Sequence, residues 1–138
     1  NDARVLACYG EILVRNKNFD LGLDLLHKVL DVDPIPAGQK TSDNRYRDLV
    51  LGYFCKEDFD KCIEFAKYIK DLEPRSWIFL MYSFNEIEET NKIKEKEEFK
   101  NKFDDYSKLD WKNTIKGFHL PDESMNKNLE NFTNELVN

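Results

Sequence analysis

The chain has 138 residues, 41% hydrophobic and 35% charged, which suits one domain with a buried core and a well-hydrated exterior. Its 5 glycines and 4 prolines cannot supply the turn every ~8–12 residues that an all-β sandwich requires. The formal net charge of −6 is spread over both halves with no basic cluster, which argues against nucleic acid as a partner. No apolar run approaches the ~20 residues needed to span a bilayer, so this stretch is not expected to insert into a membrane.

In chain order, Val5, Leu6, Tyr9 and Leu13, with Gly10 on the same side, recur at spacings of three and four and predict a first amphipathic helix. Asn16-Lys17-Asn18 ends it. A second stripe runs Phe19, Leu23, Leu26, Val29 and Leu30, and stops at Asp33-Pro34 because proline cannot continue a helix. Ile35 to Asp43 reads as a loop. Tyr46, Leu49, Val50 and Tyr53 then form a third stripe, Lys56-Glu57-Asp58 a turn, and Phe59, Cys62, Ile63, Ala66 and Ile69 a fourth stripe, closed by Glu73-Pro74.

Ser76 is the expected N-cap of a fifth helix with the stripe Trp77, Leu80, Met81, Phe84, Ile87. Glu88 to Lys102 is nearly all charged apart from Ile93 and Phe99. It reads either as one long helix or as two with a break near Thr90-Asn91, and its mixed-sign run Lys92–Glu98 as a solvated face. Phe99, Phe103 and Tyr106 resume an apolar edge. Leu109 to Leu120 reads as irregular, anchored by Trp111 and Phe118. Pro121-Asp122 opens a last helix with the stripe Met125, Leu129, Phe132, Leu136. The expectation is therefore an all-α fold, with residues 1–106 as helix hairpins and residues 107–138 as a C-terminal extension. The last helix is expected to cap the open end near Trp77–Ile87; the alternative is that it occupies a groove near Leu51 and Phe54. The absence of an initiating Met ahead of Asn1-Asp2 suggests a piece of a longer chain.

Catalytic signals are weak. His27 and His119 stand far apart in sequence, and there is no glycine-rich phosphate loop. No nucleophile, base and acid are set by any motif. Cys8, Cys55 and Cys62 lack metal-ligand spacing, and their odd number argues against a complete disulfide framework. Free thiols, a reducing cytoplasmic setting, no metal and no cofactor are the expectation. The Asn131-Phe132-Thr133 sequon would matter only in a secreted protein.

The hairpins repeat. The first reads Leu6-x2-Tyr9-Gly10-x2-Leu13, then Gly22-x3-Leu26, then Pro34. The second reads Tyr46-x2-Leu49-Val50-x2-Tyr53, then Cys62-x3-Ala66, then Pro74. Both resemble the tetratricopeptide repeat, a ~34-residue unit patterned W-x2-L-G-x2-Y, A-x3-F, P. The prolines lie about 40 residues apart, so the loop between units carries about six extra residues relative to that period. In that register Gly10, Gly22, Val50 and Cys62 sit at helix crossings, where small side chains let backbones approach. Trp77-x2-Leu80-Met81-x2-Phe84 starts a third unit that then loses the pattern. The stretch Leu49–Phe54, with Asp58–Cys62 and Leu72–Pro74, further resembles the second repeat of the mitochondrial and peroxisomal fission adaptor family. Tyr9–Arg15 and Gly22–Leu26 resemble its first.

The resemblance implies a non-enzymatic, monomeric adaptor that binds a protein or peptide on the concave face lined by the first helix of each pair. The residues it places there, off the core stripes, are Arg4, Ala7, Glu11, Val14 and Arg15 in the first unit and Arg47, Leu51, Phe54 and Cys55 in the second. The partner-binding candidates are Arg4, Glu11, Arg15, Arg47, Leu51 and Phe54, the arginines being fork-shaped donors suited to carboxylates. Chaperone-binding members hold a ligand's C-terminal carboxylate with a Lys/Asn set; Ala7 and Glu11 stand at the matching places here, which disfavours a chaperone-tail receptor. Two alternatives remain open. One is a fission adaptor on the cytosolic face of an organelle membrane, should an anchor lie beyond this stretch. The other is a structural subunit of a larger complex.

Overall fold

The computed structural model describes residues 2–87, 89 and 92–136. The fold is all-helical, with no strand among the described residues: α1 (Ala3–Arg15), α2 (Phe19–Val32), α3 (Asp43–Lys56), α4 (Phe59–Ala66), α5 (Pro74–Ile87), α6 (Ile93–Lys102), a 3-10 segment (Asp104–Lys108), α7 (Trp111–Lys116) and α8 (Glu123–Leu136). Local chemistry sets several ends. Asp2, Asp58 and Asp110 cap α1, α4 and α7 by accepting from the amides of Arg4, Lys61 and Asn113. The α1–α2 and α3–α4 turns are built alike. Lys17 and Glu57 both take left-handed backbone, at φ 67° and 63°. The next amide reaches back to the helix each time, Asn18 N to Leu13 O at 2.8 Å and Asp58 N to Tyr53 O at 2.9 Å.

Packing follows the small residues. A methyl on Gly22 would lie 2.7 Å from Val14 Cγ1 and 3.0 Å from Gly10 O, and one on Gly10 would lie 2.8 Å from Leu26 Cδ2. The two helices therefore touch backbone to backbone. In the second hairpin Cys62 Sγ lies 3.9 Å from both Val50 O and Phe79 O, with Cys62 and Val50 wholly buried. Beyond the hairpins, α3 packs on α1, α2 and α5, and α5 on α4 and α6. From Ser76 to Phe84 only Tyr82 is not buried. The core continues into the tail, where Trp111, Ile115, Phe118, Met125, Leu129 and Phe132 join the cluster built on α3, α4 and α5.

Three local expectations change, and a fourth, open between two readings, takes the two-helix form. On α1 the buried side is Ala7, Gly10 and Val14, whereas Val5, Tyr9 and Ile12 are exposed. The helix packs chiefly on α2 and α3, which leaves Val5, Tyr9 and Ile12 on its outer side. The fifth helix starts at Pro74, whose fixed φ suits a first turn. Ser76 lies inside that turn, and its amide donates to Glu73 Oε2 at 3.3 Å, so Glu73 takes the capping role. The charged segment is not one helix: α5 ends at Ile87 and α6 begins at Ile93, while Thr90-Asn91 lie outside the described residues. Within Leu109–Leu120, Trp111–Lys116 is helical, opened by the Asp110 cap.

Candidate functional site

Helices α1, α3 and α5 and the α2–α3 loop border an open groove of about 490 Å³. Helix α1 contributes Arg4, Ala7, Cys8 and Glu11; α3 contributes Asn44, Arg45, Arg47 and Asp48; α5 contributes Arg75. Pro36, Ala37 and Gln39 of the loop form one wall. That loop is fixed by Arg45, which donates to Asp33 O at 3.0 Å and Asp33 Oδ2 at 2.9 Å and is itself buried. The extra residues between the hairpins thus become part of the site.

Arg47 is held by Asn44 Oδ1 at 2.7 Å and Asp71 O at 2.6 Å, with Glu73 Oε1 at 3.3 Å. Asp43 accepts from the amides of Lys70 and Asp71, both at 2.9 Å. Burial opposes its ionisation, yet those amides and the Arg47 charge outweigh burial and hold the carboxyl below its ordinary range. Glu11 and Asp48 form a hydrogen-bonded carboxyl pair between α1 and α3. Burial first, then the hydrogen bond and charge of Glu11, push Asp48 up to about 9. Burial also raises Glu11, but the Asp48 hydrogen bond and the Arg15 guanidinium, at 3.2 Å, overcome it and hold Glu11 low. At neutral pH the pair therefore shares one proton.

Of the six residues expected on the binding face, Arg4, Glu11 and Arg47 line the groove, and Arg15 sits behind Glu11 as its ion-pair partner. Leu51 and Phe54 do not present themselves to a ligand; this corrects the expectation. Leu51 is wholly buried, and Phe54 stacks on Phe79 with centroids 4.0 Å apart beneath the tail. Ala7, Val14 and Cys55 are buried as well. Both faces of α3 are packed, so an apolar residue off its core stripe fills a second contact instead of facing water. Sequence reasoning missed Arg75, Asp48, Arg45 and the loop wall. Arg75 was legible: carried into the third unit, the repeat register places it level with Arg4 and Asn44.

The C-terminal tail covers the neighbouring surface. Phe118 meets Phe79 edge-on at 5.3 Å and Phe132 meets Tyr82 at 5.4 Å. Met125 lines a small cavity with Phe54, Phe59 and Tyr82. Asp122, just ahead of α8, pairs with Lys17 at 2.8 Å. The last helix therefore crosses both Tyr82 of α5 and Phe54 of α3, the two docking places that were weighed as alternatives.

His27 and two of the three cysteines are engaged or enclosed. His27 Nε2 lies 2.7 Å from Tyr53 Oη, and the ring packs against Tyr53 and Phe65. All three cysteines are free, Cys8 exposed and Cys55 and Cys62 buried. Burial pushes both buried thiols up to about 12. In a native thiol titration, Cys8 is expected to react at once and the other two only on unfolding. Rapid labelling of Cys62 in the folded protein would contradict the α3–α4–α5 packing.

No helix among the described residues is long and apolar enough to cross a membrane. Comparison with protein-family models, curated proteins and solved structures found no match.

Proposed function

We propose that this chain is a non-enzymatic adaptor, built from tetratricopeptide-like helix hairpins, that binds a segment of a partner protein in the groove across α1, α3 and α5. The observation that carries the reading is that groove itself. It is open, lined by charged side chains from three successive hairpin-opening helices, and left uncovered by the tail. The recurring left-handed turn at Lys17 and Glu57, with the small-residue approaches of Gly10 to Gly22 and Val50 to Cys62, supports a repeat architecture. Free cysteines support a reducing compartment such as the cytosol. The enclosed thiols and the engaged His27 support binding over catalysis.

The test is a displayed random peptide library selected on the wild-type chain and counter-screened on Ala7→Trp, which fills the groove floor. Selected peptides are expected to lose at least about tenfold in affinity on the variant. Peptides that bind both forms equally would move the binding face elsewhere, and a library that yields no binder would remove the adaptor reading.

A further inference from the structure

We infer that the groove receives an acidic segment of a partner protein, its carboxylates spread along the chain, with Arg75, Arg4 and Arg47 as its anchors. This rests on the groove reading above and names the chemistry of its ligand. Arg75 carries the argument furthest. Its side chain is only 24% exposed, yet among the described residues its one ion pair is Glu73 at 3.8 Å and it donates no hydrogen bond. A guanidinium has five donors in a rigid fork matched to a carboxylate. Arg75 lines the groove beside the Glu11 and Asp48 carboxyls.

The lining is cationic at neutral pH. Arg4, Arg45, Arg47 and Arg75 stand against Glu11 and Asp48. Glu11 is compensated by Arg15 at 3.2 Å, and Asp48 keeps its proton. Asp2, Asp33, Asp43 and Glu73 pair with Arg4, Arg45 and Arg47 from outside the lining and temper the field, which leaves Arg75, with its one ion pair at 3.8 Å, the least neutralised of the four. The net charge of −6 over the whole chain disfavours an acidic segment away from arginine-rich surface. The arginines rise from three different helices, a spread that suits several side-chain carboxylates better than a single terminal one.

The Asp48 proton supplies a second signature. Facing that carboxyl are Glu11 from α1, itself paired with Arg15, Arg75 from α5, and Arg45 on its own helix. Once pH rises through about 9 the carboxyl ionises beside Glu11, and the groove gains a negative charge where the ligand's carboxylates must lie. Affinity for an acidic segment should then fall.

Short fluorescent peptides in which glycine alternates with Glu, Gln or Lys, read by anisotropy at low salt, test this on the whole chain. The Glu peptide is expected to bind tightest. Arg75→Gln should weaken it at least about tenfold. Arg4→Gln, at an exposed position that cannot disturb the fold, should weaken it severalfold. Asp48→Asn should lose the alkaline decline. Lys or Gln peptides binding as tightly as Glu, or indifference to both arginine changes, would overturn the acidic-ligand inference and leave the adaptor reading standing. If no peptide of any class binds, both are overturned.

Discussion

Gly22→Leu is expected to abolish the cooperative fold or cost well over the ~1–3 kcal/mol typical of an overpacked core. The first added atom already lies 2.7 Å from Val14 Cγ1 and 3.0 Å from the carbonyl oxygen of Gly10. The Val14 methyl belongs to a fully buried side chain with no free volume to turn into, and the Gly10 oxygen is backbone. Relief therefore requires α1 and α2 to separate. Separation would also loosen Leu26, which fills the space over Gly10, and Val14, which lies near the Gly52 approach to Leu23. Gly22→Ala should already destabilise measurably. Gly117→Ala is the control: Gly117 has ordinary helical backbone, and the nearest atom to its added methyl is Thr114 O at 3.4 Å. It should be neutral or stabilising by up to ~1 kcal/mol, since alanine restricts the unfolded chain more than glycine does. Thermal and urea melts of the three variants check the order. A Gly22→Leu chain that melts like wild type would mean that α1 and α2 do not cross here.

The residues that made α2, α4 and α8 readable are those whose neighbours lie on one side only, so that a single stripe at helical spacing coincides with the buried face. Leu23, Leu26 and Val29, or Met125, Leu129 and Phe132, are of this kind. Helix α3 defeated the same reasoning. With α1 and α2 on one side and α4 and α5 on others, its Leu49–Leu51 run is buried without a gap, and periodicity carries no information about which face is free. Helix α1 failed in the opposite sense: Val5 and Tyr9 sit on its exposed outer side. The groove was half legible. Arg4, Glu11 and Arg47 follow from the repeat register. The Glu11–Asp48 proton, by contrast, depends on two helices meeting at a distance no local pattern encodes, and the loop wall depends on Arg45 reaching back to Asp33.

Truncation after Leu120 is the other large perturbation, and it separates two roles for the tail. It removes α8, with Leu129 wholly buried and Met125 and Phe132 nearly so. Each such side chain contributes ~1.5–3 kcal/mol by leaving water. Ordering the helix offsets part of this, so the net loss should be about 3 kcal/mol, seen as a fall in Tm of about 10 °C. Phe54, Phe59 and Tyr82 would be uncovered together, and the truncated chain should bind a dye such as ANS where the full chain does not. Leu129→Ala is the single-site form, expected to cost ~2–5 kcal/mol through the cavity it leaves, because it keeps the ordering cost of the helix. Peptide affinity distinguishes the roles. None of the residues beside Met125 belongs to the groove of Arg4, Glu11 and Arg75, so a truncated chain held well below its Tm should bind acidic peptides as the full chain does. Unchanged stability with tighter binding would instead make α8 a detachable cover that competes with the partner.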